Sequence, residues 1–145
     1  MGQCEPLIDG PDGLIIGCGS LAGSCLAAVE ELQKEGLSVG LINARFIKPL
    51  DKDTLLKRIQ MSPWVVSVEE NTLQAGFGSA ILEAIHDAAL QTGPIRRLGI
   101  PDQFIEHGDR ADLLSSLTLD TSGIANVCRE LSGQTASTAV AAPLQ

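Results

Sequence analysis

The chain has 145 residues with 44% hydrophobic and 19% charged side chains, the balance of a single globular domain, which excludes two full domains and a disordered chain. Aromatic residues are 3%, so Ala, Leu, Ile, Val and Gly must fill the core. A net charge of −8 argues against a nucleic-acid or anionic-membrane surface, because both require a positive field.

Residues 1–13 are rich in Gly, Pro and Asp and read as a linker. Leu14 to Cys18 is a short apolar run, the first expected strand. Ser20 is placed to cap the helix that follows, with Leu21, Cys25, Ala28, Val29 and Leu32 on one face and Gly36 as its terminator. Leu37 to Ile42 is the next expected strand, so strand, helix and strand form a right-handed βαβ unit with parallel strands. After Asn43 to Pro49, Asp51 caps a helix whose buried face is Leu55, Leu56 and Ile59. Trp64 to Val68 is the third strand, ending in Glu69, Glu70 and Asn71. A helix around Ile81 and Ile85, stopped at Gly93-Pro94, leads to a fourth strand, Ile95 to Ile100.

The loop from Pro101 to Gly108 carries Asp102, Phe104 and His107, and Asp109 with Asp112 resembles a capping box. Thr121 or Ser122 opens a last helix with Ile124, Val127, Cys128 and Leu131 at i, i+3, i+4 and i+7. Residues 133–145 carry no charged side chain and no sustained period and read as a disordered tail, which leaves 14–132 as the folded domain. Strands alternating with helices predict one doubly wound α/β domain. No apolar run approaches the ~20 residues of a membrane span, and the N-terminus lacks the features of a secretory signal. The four cysteines form no C-x-x-C pair, and the expected compartment is the reducing cytoplasm.

Three features invite chemistry. Gly17 to Ala22 fits G-x-G-x-x-A between a strand and a helix, where backbone N–H groups attract phosphate. The acid that binds ribose at the end of the next strand is missing; Asn43, Ala44 and Arg45 stand there. Glu69, Glu70 and Asn71 close a buried strand at the end where α/β ligand sites collect. Neighbouring strand residues point to opposite faces, so the two glutamates make no ready acid–base pair. One of them is expected to cap a helix or to pair with Arg45 or Lys48. His107 shares a loop with Asp102 and Glu106, as a base or as a hydrogen-bonded anchor. His86 falls on a polar helix face and is expected to be solvated.

Three stretches acting together carry a family resemblance. They are Asn43-Ala44-Arg45-Phe46-Ile47-Lys48-Pro49-Leu50-Asp51, Val68-Glu69-Glu70-Asn71 with Gly76-Phe77-Gly78-Ser79, and Leu98 to Gly108. In this order the chain resembles the C-terminal domain of the 1-deoxy-D-xylulose-5-phosphate synthases, thiamine-diphosphate enzymes of the transketolase family, from about Leu14 to Leu131. One departure is Gln74-Ala75-Gly76, where the family has Gly-Gly before Phe.

The resemblance implies a three-layer α/β/α domain on a mostly parallel five-stranded sheet with one antiparallel edge strand. It implies a homodimer and, as partners, the N-terminal and middle domains of the same enzyme. The family joins pyruvate to glyceraldehyde 3-phosphate with loss of CO2, at the start of an isoprenoid route. Its cofactor is thiamine diphosphate with Mg, held by a GDG motif and a downstream Asn. Here Gly108-Asp109 is followed by Arg110, and the family's activating glutamate belongs to the middle domain. No catalytic, cofactor-binding or metal residue is therefore assigned, and the chain alone is expected to be inactive.

Motif placement makes Phe46, Lys48 and Pro49 expected interface positions, and Glu69, Asn71, Asp102 and His107 expected rim positions at a domain junction. Three alternatives stand beside this reading. One is the same domain of a transketolase or a 2-oxo acid dehydrogenase β subunit. Another is an independent nucleotide or small-ligand module using the Gly17–Ala22 loop. The third is a stand-alone enzyme built on His107 and Asp102.

Overall fold

The structure is a computed structural model that describes the backbone of residues 2–141 and the side chains of residues 2–133. Its strands are β1 (Glu5–Pro11), β2 (Gly13–Cys18), β3 (Val39–Asn43), β4 (Val65–Thr72) and β5 (Ile95–Ile100). Its helices are α1 (Ala22–Lys34), α2 (Lys52–Gln60), α3 (Phe77–Asp87), α4 (Arg110–Ser116) and α5 (Thr121–Ala141). The strands form one sheet in the order β1-β3-β2-β4-β5. Strands β2 to β5 are mutually parallel where they pair, and β1 runs antiparallel to β3 at one edge.

Helices cover both faces, which is why the central strands read as continuous apolar runs. Side chains alternate across the sheet. Ile15, Val66 and Val68 pack with Cys25, Val29, Leu32, Ile124 and Leu131 of α1 and α5. Leu14, Ile16 and Val65 pack with Leu55, Ile59, Phe77 and Ile81 of α2 and α3. Arg129 of α5 reaches Glu31 of α1 and its C-cap Glu35 at 2.6 and 2.5 Å and clasps these two helices together.

Two segments differ from the sequence expectation. The stretch 1–13, read as a linker, contains β1, with Glu5 opposite Asn43 and Pro11 opposite Val39. Its Pro and Gly content suits an edge strand: the ladder is broken by register shifts between Pro6 and Ile8 and between Ile8 and Pro11. Gly10 lies against the Ser38–Gly40 backbone, where a Cβ would collide. At the other end, α5 continues past residue 132 to Ala141. A helix once nucleated propagates through residues that do not break it, and no Gly follows Gly133 and no Pro lies between Pro101 and Pro143. The part of the expected tail at 142–145 lies outside the described residues.

Helix ends follow local chemistry in most places. Asp51 accepts the Thr54 N–H at 3.2 Å and Asp109 accepts the Ala111 N–H at 2.9 Å, so both caps stand as expected. The final helix opens at Thr121 as expected, and Asp120 just ahead of it accepts from the Gly123 N–H at 2.8 Å. Gly36 ends α1 at φ +87°, with the Gly36 N–H donating to Gln33 O and the Leu37 N–H to Leu32 O. That is the paired bonding of a Schellman cap. A Cβ at Gly36 would meet nothing within 4 Å, so Gly36→Ala isolates the backbone cost. The expected loss is about 1 kcal/mol, read from urea midpoints, since only the left-handed φ is penalised.

Candidate functional site

After β2 the chain crosses to β3 on one side, and after β3 it crosses to β4 on the other. The carboxyl ends of β2 and β4 therefore flank the switch point of the sheet, the place where open α/β sheets bind ligands. A hollow of about 300 Å³ lies there, lined by Cys18, Gly19, Ser20, Ile47, Glu69, Glu70 and Asn71.

Strand β4 runs through the glutamates to Thr72 instead of ending before them. Alternation then sends Glu69 inward and Glu70 outward. Glu69 is buried, and its carboxylate accepts the Phe77 and Gly78 N–H groups at 2.6 and 2.8 Å. It thus caps α3 from eight residues upstream and neutralises the positive end of that helix internally. Gly76 is required for the approach, because a Cβ there would run into Thr72 O and the Glu69 carboxylate.

Glu70 takes the Arg110 guanidinium in a forked pair, Nε at 3.1 Å and Nη2 at 2.6 Å. The Ser20 hydroxyl donates to the same carboxylate. The expected partners of a glutamate here, Arg45 and Lys48, are replaced by Arg110. Nothing in the local sequence marks this pair, since its members lie 40 residues apart. Ser20 likewise does not cap α1: Gly19–Leu21 form a 3₁₀ turn, and the hydroxyl turns to Glu70.

Charge at this mouth is balanced by the pairing of Glu70 with Arg110. The G-x-G-x-x-A loop offers N–H groups, but Glu70 stands across from it, held by Arg110 and Ser20. The Arg110 guanidinium first, and the Ser20 hydroxyl next, hold the Glu70 carboxyl below the usual carboxylate range. A lowered folded-state pKa contributes stability that is present above the unfolded value, about 4.3, and is lost as pH falls through the folded one. The acid limb of thermal stability is thus expected to be shallower in Glu70→Gln than in the wild type below about pH 4.3. Superimposable limbs would remove Glu70 from the account.

Cys18 is half-buried in the hollow, and burial, then the nearby Glu69, push its thiol up. It stays protonated near neutrality and is a poor nucleophile. Cys25 and Cys128 are fully buried, and burial pushes both up to about 12.

The other expected positions gather at this same end of the sheet. Phe46 is half-buried with the Arg45 guanidinium 5.8 Å from its ring centre. Lys48 and Pro49 are exposed and joined by a cis peptide bond. Asn71, Asp102 and His107 are exposed. Among the described residues, Asp102 and His107 neither meet one another nor hold a hydrogen-bond partner, so they build no base-and-orienter pair. His86 is solvated on α3 as expected. Among the described residues no three His, Cys, Asp or Glu side chains converge as metal ligands. Among them, too, no helix is long and apolar enough to cross a membrane.

Residues 2–124 match the family model for the transketolase C-terminal domain. The 1-deoxy-D-xylulose-5-phosphate synthase of Rhodopirellula baltica is 42% identical over 137 residues, which is 94% of this chain and 21% of the synthase. That of Bacillus licheniformis is 48% identical over 117 residues, 81% of this chain and 18% of the synthase. The chain spans about a fifth of the length of these curated relatives. Among solved structures, a split-gene transketolase described as an inactive β4 tetramer superimposes with a TM-score of 0.82 at 24% identity, over 91% of this chain and 43% of that one. The Campylobacter jejuni transketolase does so at 0.59 and 17% identity, over 89% of this chain and 18% of that one, and both likenesses concern the fold. With a model matched across most of the described residues and the five-stranded sheet in place, the chain belongs to the transketolase C-terminal domain family.

Proposed function

We propose that this chain is the C-terminal domain of a 1-deoxy-D-xylulose-5-phosphate synthase. In that reading it is a structural and dimerisation module of an enzyme condensing pyruvate with glyceraldehyde 3-phosphate, with loss of CO2. The observation that carries the proposal is the 42% identity along 94% of the chain to a synthase. The relatives at 39–48% identity carry the synthase name, whereas the transketolase structures stand at 24% and 17%. That contrast favours a synthase over a transketolase.

The residues at the sheet's carboxyl end do not fit thiamine diphosphate or its magnesium. The N-terminus of α3 is already filled by Glu69, and Glu70 faces the glycine loop. No step is therefore routed through the cofactor here, and its seat is assigned to the other domains. The homodimer, the partnership with those domains and the cytoplasmic location belong to the same proposal.

A chimera tests it. The matching region of the Rhodopirellula baltica synthase is replaced by this chain, and product formation from pyruvate and glyceraldehyde 3-phosphate is measured. The expected rate lies within about tenfold of the parent, about 1.4 kcal/mol in barrier. A folded, dimeric chimera without turnover would overturn the proposal. His107→Ala in the active chimera is expected to change kcat less than about threefold, under 1 kcal/mol of barrier, as a residue outside the chemistry. Loss of turnover with intact folding would make His107 part of the active site instead.

A further inference from the structure

We infer that the outer edge of β5 is a docking strand for an extended acidic segment of another polypeptide, which joins the sheet as a sixth strand. The inference stands on the sheet itself and does not depend on the synthase reading.

The two edges of the sheet differ in kind. Strand β1 carries Pro6, Gly10 and Pro11 and two register shifts, the devices that keep an edge from pairing with a foreign strand. Strand β5 has no Pro within its six residues, and from Ile95 to Leu98 it follows β4 in unbroken register. The Val65 N–H donates to Pro94 O and the Leu73 N–H to Ile100 O, so the even-numbered residues here turn their backbone toward β4. Alternation leaves the N–H and C=O groups of Ile95 and Arg97 facing away from the sheet. Among the described residues these four groups have no hydrogen-bond partner. A hollow of about 460 Å³ straddles the strand, lined by Arg97 and Leu73 toward α3 and by Arg96, Leu117 and Val127 toward α5.

Charge selects the occupant. Arg96 and Arg97 are adjacent in the strand and so point to opposite faces of the sheet. Neither has a carboxylate partner among the described residues, in a chain whose net charge is −8. Glu130, the acidic residue of the hollow, pairs with neither. The half-buried Arg97 is nonetheless held in place: its Nη1 donates to Leu73 O at 2.8 Å and to Ser79 Oγ at 3.0 Å. Both acceptors are neutral, and Nε and Nη2 have no acceptor among the described residues. A guanidinium fixed in this way is prepared for a carboxylate. A second copy pairing through the same edge would bring like charges together across the ladder, which is destabilising. The fitting strand therefore carries two successive acidic residues, one for each face, between residues of high strand propensity. Main-chain hydrogen bonds then supply affinity and the two carboxylates supply specificity.

The test adds a capped peptide, Thr-Val-Glu-Glu-Val-Thr, to the full chain and follows amide exchange. The Ile95 and Arg97 N–H groups are expected to exchange about tenfold more slowly at saturation, with a Kd below about 1 mM. Arg96→Glu is expected to weaken binding about tenfold. Lys57→Glu, an equal change of charge at an exposed position on α2, should leave the Kd within about twofold. The same peptide methylated at every backbone nitrogen keeps both carboxylates but cannot donate to the edge, and it should slow nothing. Absence of binding overturns the inference. Equal losses in the two charge variants, or full binding of the methylated peptide, reduce the contact to general attraction and overturn it too. Slow exchange at Ile95 and Arg97 without peptide, growing with protein concentration, assigns the edge to a second copy and likewise overturns it.

Discussion

Replacing Glu69 with alanine is expected to cost the fold about 3 kcal/mol, the sum of a lost charged cap and two buried N–H donors left without acceptors. The side chain is 2% exposed, and water does not substitute for it. The Phe77 and Gly78 N–H groups lose acceptors at 2.6 and 2.8 Å. Helix α3 carries Phe77, Ile81 and Ile85 into one side of the core, so a frayed first turn is felt across that layer. For a chain of this size, ~3 kcal/mol lowers Tm by roughly 6–12 °C. Glu69→Gln keeps one acceptor and turns a donor toward the other N–H, so it should fall between alanine and wild type. Urea midpoints check the series. An alanine variant within about 0.5 kcal/mol of wild type, the noise of a surface change, would mean that another group caps α3.

The second large effect concerns the contact between Gly13 and Trp64. The single Trp is fully buried, and its six-membered ring lies where a Gly13 Cβ would be. Trp64→Ala should cost about 3–5 kcal/mol through lost burial and the cavity left behind. Gly13→Ala overpacks the same spot and should cost about 2–3 kcal/mol, because the ring must shift within a filled core. The two changes are coupled. In a Trp64→Ala background the new methyl enters vacated space, and the Gly13→Ala penalty should fall to within about 0.5 kcal/mol of zero. A double-mutant cycle by urea unfolding, followed by circular dichroism, measures this. Simple additivity would show that the ring is not what excludes a side chain at residue 13. Trp64 fluorescence in Gly13→Ala supplies an independent view of the same displacement.

Much of the fold was determined by the sequence alone. The runs Leu14–Cys18 and Trp64–Val68 are apolar on nearly every residue, and only strands covered on both faces tolerate that. Asp51, Asp109 and Gly36 act within a few residues of themselves, so their caps could be read from spacing. The gathering of Phe46, Lys48, Pro49, Asn71, Asp102 and His107 at one end follows from parallel strands, whose carboxyl ends all point the same way. Tertiary structure alone decided the rest. Residues 5–11 become a strand because the β3 edge supplies partners that a Gly- and Pro-rich segment does not announce. Ser20 abandons its helix for a carboxylate on β4, and Glu70 finds Arg110 across 40 residues. Strand alternation foretold that Glu69 and Glu70 would separate. Which of them would be buried against α3, and which would face solvent, was settled only when the helix layer closed over one side of the sheet.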